Sequence, residues 1–159
     1  MPFLYSVEGA PATPYATHGT PNTEDPTLVL RQAVRGFDLQ ALWVHGRGAA
    51  LTALTGIGYR VRRWTTAGSG GTAITPSPRR VGTTASTTAA DKVTAITAGT
   101  VSGAYQLSLG CGAAGPGGWA ALNPDSCIHV EGGGADELDI NSVCGVASML
   151  HHVNAEIME

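Results

Sequence analysis

Apolar and polar positions alternate in short runs along most of this chain, and the longest such run without a proline is Leu28 to His45. Phe37, Leu39, Ala41 and Trp43 share one face at a period of two, while Asp38, Gln40, Leu42 and Val44 form the other, polar first and apolar later. A helix is the rival reading, since Leu30, Val34, Phe37, Ala41 and Val44 also fall on one helical face and Asp25-Pro26 would start it well. Gly36 in mid-run would cost a helix about 1 kcal/mol relative to alanine but suits a turn. The stretch is therefore predicted to be two strands hinged at Val34-Arg35-Gly36.

The same pattern repeats downstream. Ile57 to Thr65 reads as a strand, and Thr72 to Thr75 and Val93 to Thr97 as shorter ones. Gly103 to Cys111 alternates Tyr105, Leu107, Leu109 and Cys111 against Gln106, Ser108 and Gly110, the cleanest half-buried strand in the sequence. Asn123-Pro124-Asp125 is a turn signal, Cys127 to Glu131 a short strand, and Glu137 to Val143 with Met149 to Met158 a closing pair. About eight short strands separated by glycine and proline predict an all-β fold, an antiparallel sandwich or barrel. Trp43, Leu107, Leu109 and Ile157 are expected in its core. Residues 1–27 carry prolines at 2, 11, 14, 21 and 26 and are read as an extended proline-rich N-terminal arm ahead of a domain over 28–159. On that reading Phe3, Leu4, Tyr5 and Tyr15 are the side chains the arm would lay on a neighbouring surface.

Composition sharpens this picture in one respect. Only 13% of the 159 residues are charged, and lysine occurs once, at Lys92. A surface of Thr, Ser, Ala and Gly resists association weakly, which suits a subunit of an assembly. A net charge of −3 supplies no basic field for nucleic acid or an anionic membrane. No run of apolar residues approaches the roughly 20 that span a bilayer as a helix, and the start MPFLYSVEG has no signal-peptide pattern. Arg60, Arg62 and Arg63 cluster beside Trp64, and with an acidic total they are read as a solvated or subunit-facing strand in which Arg60, Arg62 and Trp64 are candidate interface residues.

Candidate chemistry is thin. A cupin-type metal site would need a close histidine pair with further ligands, but His151 and His152 are adjacent and point to opposite faces of a strand. His129 and Glu131 share a face and could offer two ligands, with no third placed by spacing. Asp136, Glu137 and Asp139 lack the calcium-loop pattern. Cys111, Cys127 and Cys144 show no zinc, disulfide or nucleophile signature and are expected to be small buried thiols. Catalytic residues, metal and cofactor are accordingly expected to be none.

The closing residues Asn141-Ser142-Val143-Cys144-Gly145-Val146 and Val153-Asn154-Ala155-Glu156-Ile157-Met158-Glu159 resemble the end of small jelly-roll virion proteins of tailed bacteriophages. Arg62-Arg63-Trp64-Thr65-Thr66-Ala67-Gly68-Ser69 is similar to a further run of that family, and the order of paired strands, Thr/Ala-rich linker and glycine-rich loop agrees. The sequence departs from the family at Leu28 to Val34 and at Cys111 to Trp119. The resemblance implies a jelly-roll sandwich that decorates or cements a capsid, with the major capsid protein and sister copies, as a homotrimer, for partners. It also implies synthesis in the bacterial cytoplasm and residence on the capsid exterior. A carbohydrate- or receptor-binding module of a head fibre or tail tip, with Trp64 or Trp119 exposed, is the alternative.

Overall fold

A computed structural model describes residues 2–9, 16–17, 19–31, 34–47, 56–66, 68–81, 84–97, 99–112, 115–133, 136–145 and 150–159. Thirteen strands and one 3-10 turn make up the regular structure among them. In chain order the strands are β1 (Leu4–Glu8), β2 (Ala16–Thr17), β3 (Glu24–Arg31), β4 (Phe37–Arg47), β5 (Ile57–Thr66), β6 (Ser69–Ile74), β7 (Ser77–Pro78), β8 (Thr88–Thr97), β9 (Thr100–Cys111), β10 (Pro116–Ala120), β11 (Ile128–Val130), β12 (Glu137–Cys144) and β13 (Leu150–Met158). The sequence reading expects about eight. The excess comes from β1, the two-residue pairings β2 and β7, and β10; β6 also starts earlier than expected, with Gly70 and Gly71 at positive φ inside what the sequence reads as a turn.

Two antiparallel sheets form. Sheet A runs β10-β4-β13-β1-β7, with β11 on β4 and β2 on β13, and sheet B runs β6-β8-β3-β12-β5-β9. One apolar core draws on both: Tyr5, Val7, Phe37, Leu39, Leu42, Val44, Val153, Ala155 and Ile157 from sheet A meet Leu28, Leu30, Ile57, Tyr59, Val61, Leu138 and Ile140 from sheet B. Period-two alternation places these side chains inward, with one break at Gln40 on β4, so the pleat itself builds most of the core. The expected hinge holds, because β3 and β4 are joined across Val34-Arg35-Gly36. Gly36 is needed there for a close approach: a Cβ on it would lie 2.6 Å from the carbonyl oxygen of Val130, and one on Gly132 would lie 2.6 Å from the Gly36 nitrogen. Asn123 opens the 3-10 turn Pro124–Ser126 with a reciprocal cap, its side chain accepting from Ser126 N–H while its own N–H donates to Ser126 Oγ.

Two expectations need correction. The segment 1–27 is not an arm where it is described. β1 lies inside sheet A between β13 and β7, with Tyr5 and Val7 buried, and Phe3 exchanges backbone hydrogen bonds of 2.8 and 3.0 Å with Glu159. Its prolines bracket β1 rather than interrupt it. Pro26 sits within β3, beyond the reach of β8 and beside a bulge that leaves Thr27 unpaired opposite Ile140 and Asn141, a position where a missing N–H costs little. The boundary drawn at 27/28 thus falls inside a strand.

The second correction is Trp43, which is 51% exposed instead of buried. Opposite β13, Leu39 pairs with Ile157 and Ala41 with Glu156, so Gln40 is an extra residue, a β-bulge. Its carbonyl accepts from Ala121 N–H at 2.8 Å. One inserted residue exchanges the two faces beyond it, sending Leu42 and Val44 into the core and Trp43 out. Of the other expected core residues Ile157 is fully buried, and Leu107 and Leu109 are partly buried against the core.

Candidate functional site

Arg60, Arg62 and Trp64 do converge, on the outer face of sheet B, because they occupy outward positions of β5 beside β12 and β9. Arg60 Nη1 and Arg62 Nη2 each donate to Glu24 Oε1 at 2.9 Å, and the Tyr105 hydroxyl donates to the same oxygen. The two guanidinium carbons stand 4.7 and 4.2 Å from the centre of the Tyr105 ring, within cation–π range. Burial works to raise the Glu24 pKa, but hydrogen bonds from Tyr105 and Arg60, together with the charges of Arg62 and Arg60, outweigh it and hold the carboxyl below its usual range. Both arginines are therefore engaged within the fold, tying β3, β5 and β9 together.

Trp64, two residues further along β5, is fully buried, a correction to its reading as a surface residue. Its indole hydrogen-bonds to the carboxyl of Asp139, itself 1% exposed, and the Asn141 side chain does the same. Gly68 and the Thr97 carbonyl close over the ring, leaving Gly68 no room for a Cβ. Beside them the Glu137 carboxylate accepts from Arg31 Nε at 3.0 Å and from Gly68 N–H at 3.2 Å. Burial dominates at Asp139: with the Glu24 charge it pushes the pKa up to about 8, against the Asn141 and Trp64 hydrogen bonds and the Arg62 charge.

A pH dependence follows, with its sign fixed by linkage. The folded-state pKa of Asp139 is raised, so the folded protein retains a proton that the unfolded chain gives up near 3.8, and this contribution is lost as pH rises toward about 8. Asp139→Asn keeps an oxygen to accept from Trp64 but does not titrate. Its denaturant midpoint is expected to match wild type near about pH 4 and to exceed it near about pH 9. Parallel curves for the two proteins would show that Asp139 is charged in the fold.

The histidines divide as their spacing predicts. His151 is buried with its ring edge-on to Tyr59 at 5.7 Å, and His152 faces outward, 3.9 Å from Glu8. His129 Nδ1 lies 2.5 Å from Asp38 Oδ1, its cross-strand partner, and Nε2 lies 3.7 Å from Glu131. No group of three or more histidine, cysteine or acidic side chains is placed to hold a metal among the described residues. Cys111 and Cys144 are buried free thiols, while Cys127 is half-buried and accepts a 3.0 Å hydrogen bond from Gln40. The Tyr59 hydroxyl is buried without a hydrogen-bond partner, and burial, with the two buried thiols adding to it, pushes its pKa far up.

The remaining sequence candidates lie on the other sheet. Phe3 is half-buried against the core, Tyr5 is in the core and Leu4 is 36% exposed; Tyr15 lies outside the described residues. Leu4 belongs to a group that the sequence does not single out. Val34, Val81 and Leu122 are 75%, 104% and 94% exposed, and the register brings them to the same end of the two sheets as Leu4. Val34 precedes the start of β4; Leu4 pairs with Met158, which pairs with Asp38 at that start. Arg79, two residues before Val81, donates its N–H to the Leu4 carbonyl, and Leu122 follows Ala121, which is bonded to Gln40. The Arg63 guanidinium donates to the His129 carbonyl here, linking sheet B to sheet A.

Trp43 lies on the outer face of sheet A, one strand in from the β10 edge. Its cross-strand partners are Gly118 on β10 and Asn154 on β13. A Cβ on Gly118 would lie 2.7 Å from Trp43 Cζ3 and closer still to Cε3, so the six-membered ring sits in the space that glycine leaves open.

No family model, curated protein or solved structure matches the chain. Fold and surfaces together define an antiparallel, two-sheet β protein.

Proposed function

We propose that this is a virion structural protein of a tailed bacteriophage, decorating or cementing the capsid through repeated contacts with the major capsid protein and with sister copies. The observation that carries the proposal is the apolar end: four of the six exposed large apolar side chains among the described residues, Leu4, Val34, Val81 and Leu122, lie along one end of the sandwich, spread from the β10 edge to the β7 edge of sheet A. Exposed apolar side chains scattered singly are ordinary, but a group at one end of a weakly charged body is a contact surface. Small contacts repeated over a shell add up to firm attachment.

The pairing order supports a jelly-roll reading of the sandwich. β1 pairs with β13, β3 with β12, β4 with β10 and β5 with β9, so the first half of the chain lies antiparallel to the second like one long hairpin. Successive pairs fall in sheets A, B, A and B, closed by β4 on β13 and β12 on β5. Such a rolled hairpin of eight strands is the jelly roll, an architecture used by capsid and lectin domains, and it fits the resemblance of the sequence to small virion proteins. The homotrimer is part of the same proposal.

The test is the double variant Val34→Ser, Leu122→Ser. Both side chains are exposed, so its stability is expected to stay within about 0.5 kcal/mol of wild type. Co-sedimentation with tailed-phage capsids, and self-association by light scattering, are expected to weaken. A double variant that binds and associates like wild type would remove the apolar end from the account.

A further inference from the structure

The surface around Trp43 has a chemistry unlike that of the apolar end. Trp43 stands six positions along β4 from Phe37, roughly 20 Å of strand, and Leu122 of the apolar end follows Ala120 by two residues. The Trp43 ring rests on Gly118 on one side and is open to solvent on the other, which accounts for its 51% exposure. Small side chains neighbour it: Ala120 on β10 is exposed, while its cross-strand partner Ala41 is buried. Polar groups stand at the rim: Asn154 across the strand pair, then His45 and His152, which are paired with each other. Asn154 Oδ1 accepts from Ser6 Oγ at 3.1 Å, a bond that holds the amide by its oxygen and leaves its N–H donors unused by it.

Charge selects among occupants. Glu156 is paired with Arg79, and Glu8 lies 3.9 Å from the His152 ring, so this face carries the carboxylates Glu8 and Glu156 beside the guanidinium of Arg79. The two carboxylates disfavour an acidic ligand, and a protein strand would find one aromatic ring in a polar surround. A flat ring about half exposed, with small neighbours and a rim of amide and imidazole groups, matches a neutral pyranose. Such a sugar has one face of C–H bonds to lay on the indole and hydroxyls at its edge to exchange hydrogen bonds. We infer that the outer face of sheet A is a binding site for neutral hexose units of a glycan, with Trp43 as the stacking platform and Asn154 as the orienting hydrogen-bond donor.

The experiment is titration of the purified full chain with neutral, acidic and sulfated glycans on an array, followed by tryptophan-emission titration with those that bind. Neutral hexose-containing glycans are expected to bind. Trp43→Ala is expected to weaken them by about tenfold or more, with Trp43→Phe intermediate and Asn154→Ala losing severalfold. Gly118→Ala is expected to weaken binding as well, because the new methyl group takes the space of the ring. Circular dichroism and thermal melting check that every variant is folded, and Trp43→Phe keeps an aromatic ring should the alanine variant fail to fold. Binding confined to acidic or sulfated glycans, binding of neutral glycans unchanged in Trp43→Ala, or no glycan binding at all would each overturn the inference. So would Trp43→Ala abolishing capsid binding or self-association in a protein that binds no glycan, which would make the face a protein contact. The array uses no capsids, so its outcome is read separately from the virion proposal.

Discussion

Deleting residues 1–9 is expected to unfold this protein rather than release a trimmed domain. β1 is an inner strand of sheet A, pairing with β13 over Leu4 to Glu8 and with β7 at Tyr5 and Ser6. Tyr5 and Val7 contribute two buried side chains, each worth about 1.5–3 kcal/mol. Their loss would also strip one edge of β13, the strand that carries Val153, Ala155 and Ile157 into the core. Against a total stability of about 5–15 kcal/mol, that is enough to abolish or nearly abolish the folded state. Thermal melting by circular dichroism, with size-exclusion chromatography, is the check. A truncated chain that melts cooperatively near the wild-type temperature would mean that the segment is an arm after all.

Trp64→Ala is expected to destabilise the fold by about 3–5 kcal/mol, the usual range for emptying a large aromatic site. The ring is fully buried on the outer face of sheet B, held under Gly68 and the Thr97 carbonyl, and its indole is a hydrogen-bond partner of the buried Asp139 carboxyl. Removing it creates a cavity and takes a partner from a polar group that water cannot easily reach. Trp43→Ala, on the solvent face of sheet A, is expected to cost less than about 1 kcal/mol. Denaturant unfolding of the two variants measures the contrast. Equal losses, or a larger loss at Trp43, would reverse the assignment of inner and outer tryptophans.

Much of the β architecture is legible in the chain because period-two alternation and turn chemistry are local. The pairs β3/β4 and β12/β13 and the strands β5, β9 and β11 lie where the pattern predicts them. The turn at Asn123-Pro124-Asp125 is set by a cap between Asn123 and Ser126, three residues apart. What escaped is what depends on partners far away in sequence. The proline count of residues 1–27 suggests an arm, yet Leu4-Tyr5-Ser6-Val7-Glu8 alternates cleanly and is held by β13 at the other end of the chain. The bulge at Gln40 reverses the face of Trp43, and its one local sign is the break in alternation at Ala41-Leu42. Arg60 and Arg62 are visible as an arginine cluster, but their engagement with Glu24 and Tyr105 requires β3 and β9 to flank them. Asp139 looks like one carboxylate of a solvated loop entering a strand. Its burial comes from the central place of β12 between β3 and β5, with Trp64 packed against it.

The most direct test of the proposed role is the number of copies of the purified wild-type chain that co-sediment with tailed-phage capsids, set beside its mass in solution by light scattering. A fixed, saturable copy number per shell, from a self-associating chain of trimer mass, is the predicted result. A monomer that leaves every capsid bare at saturating concentration would contradict the virion role.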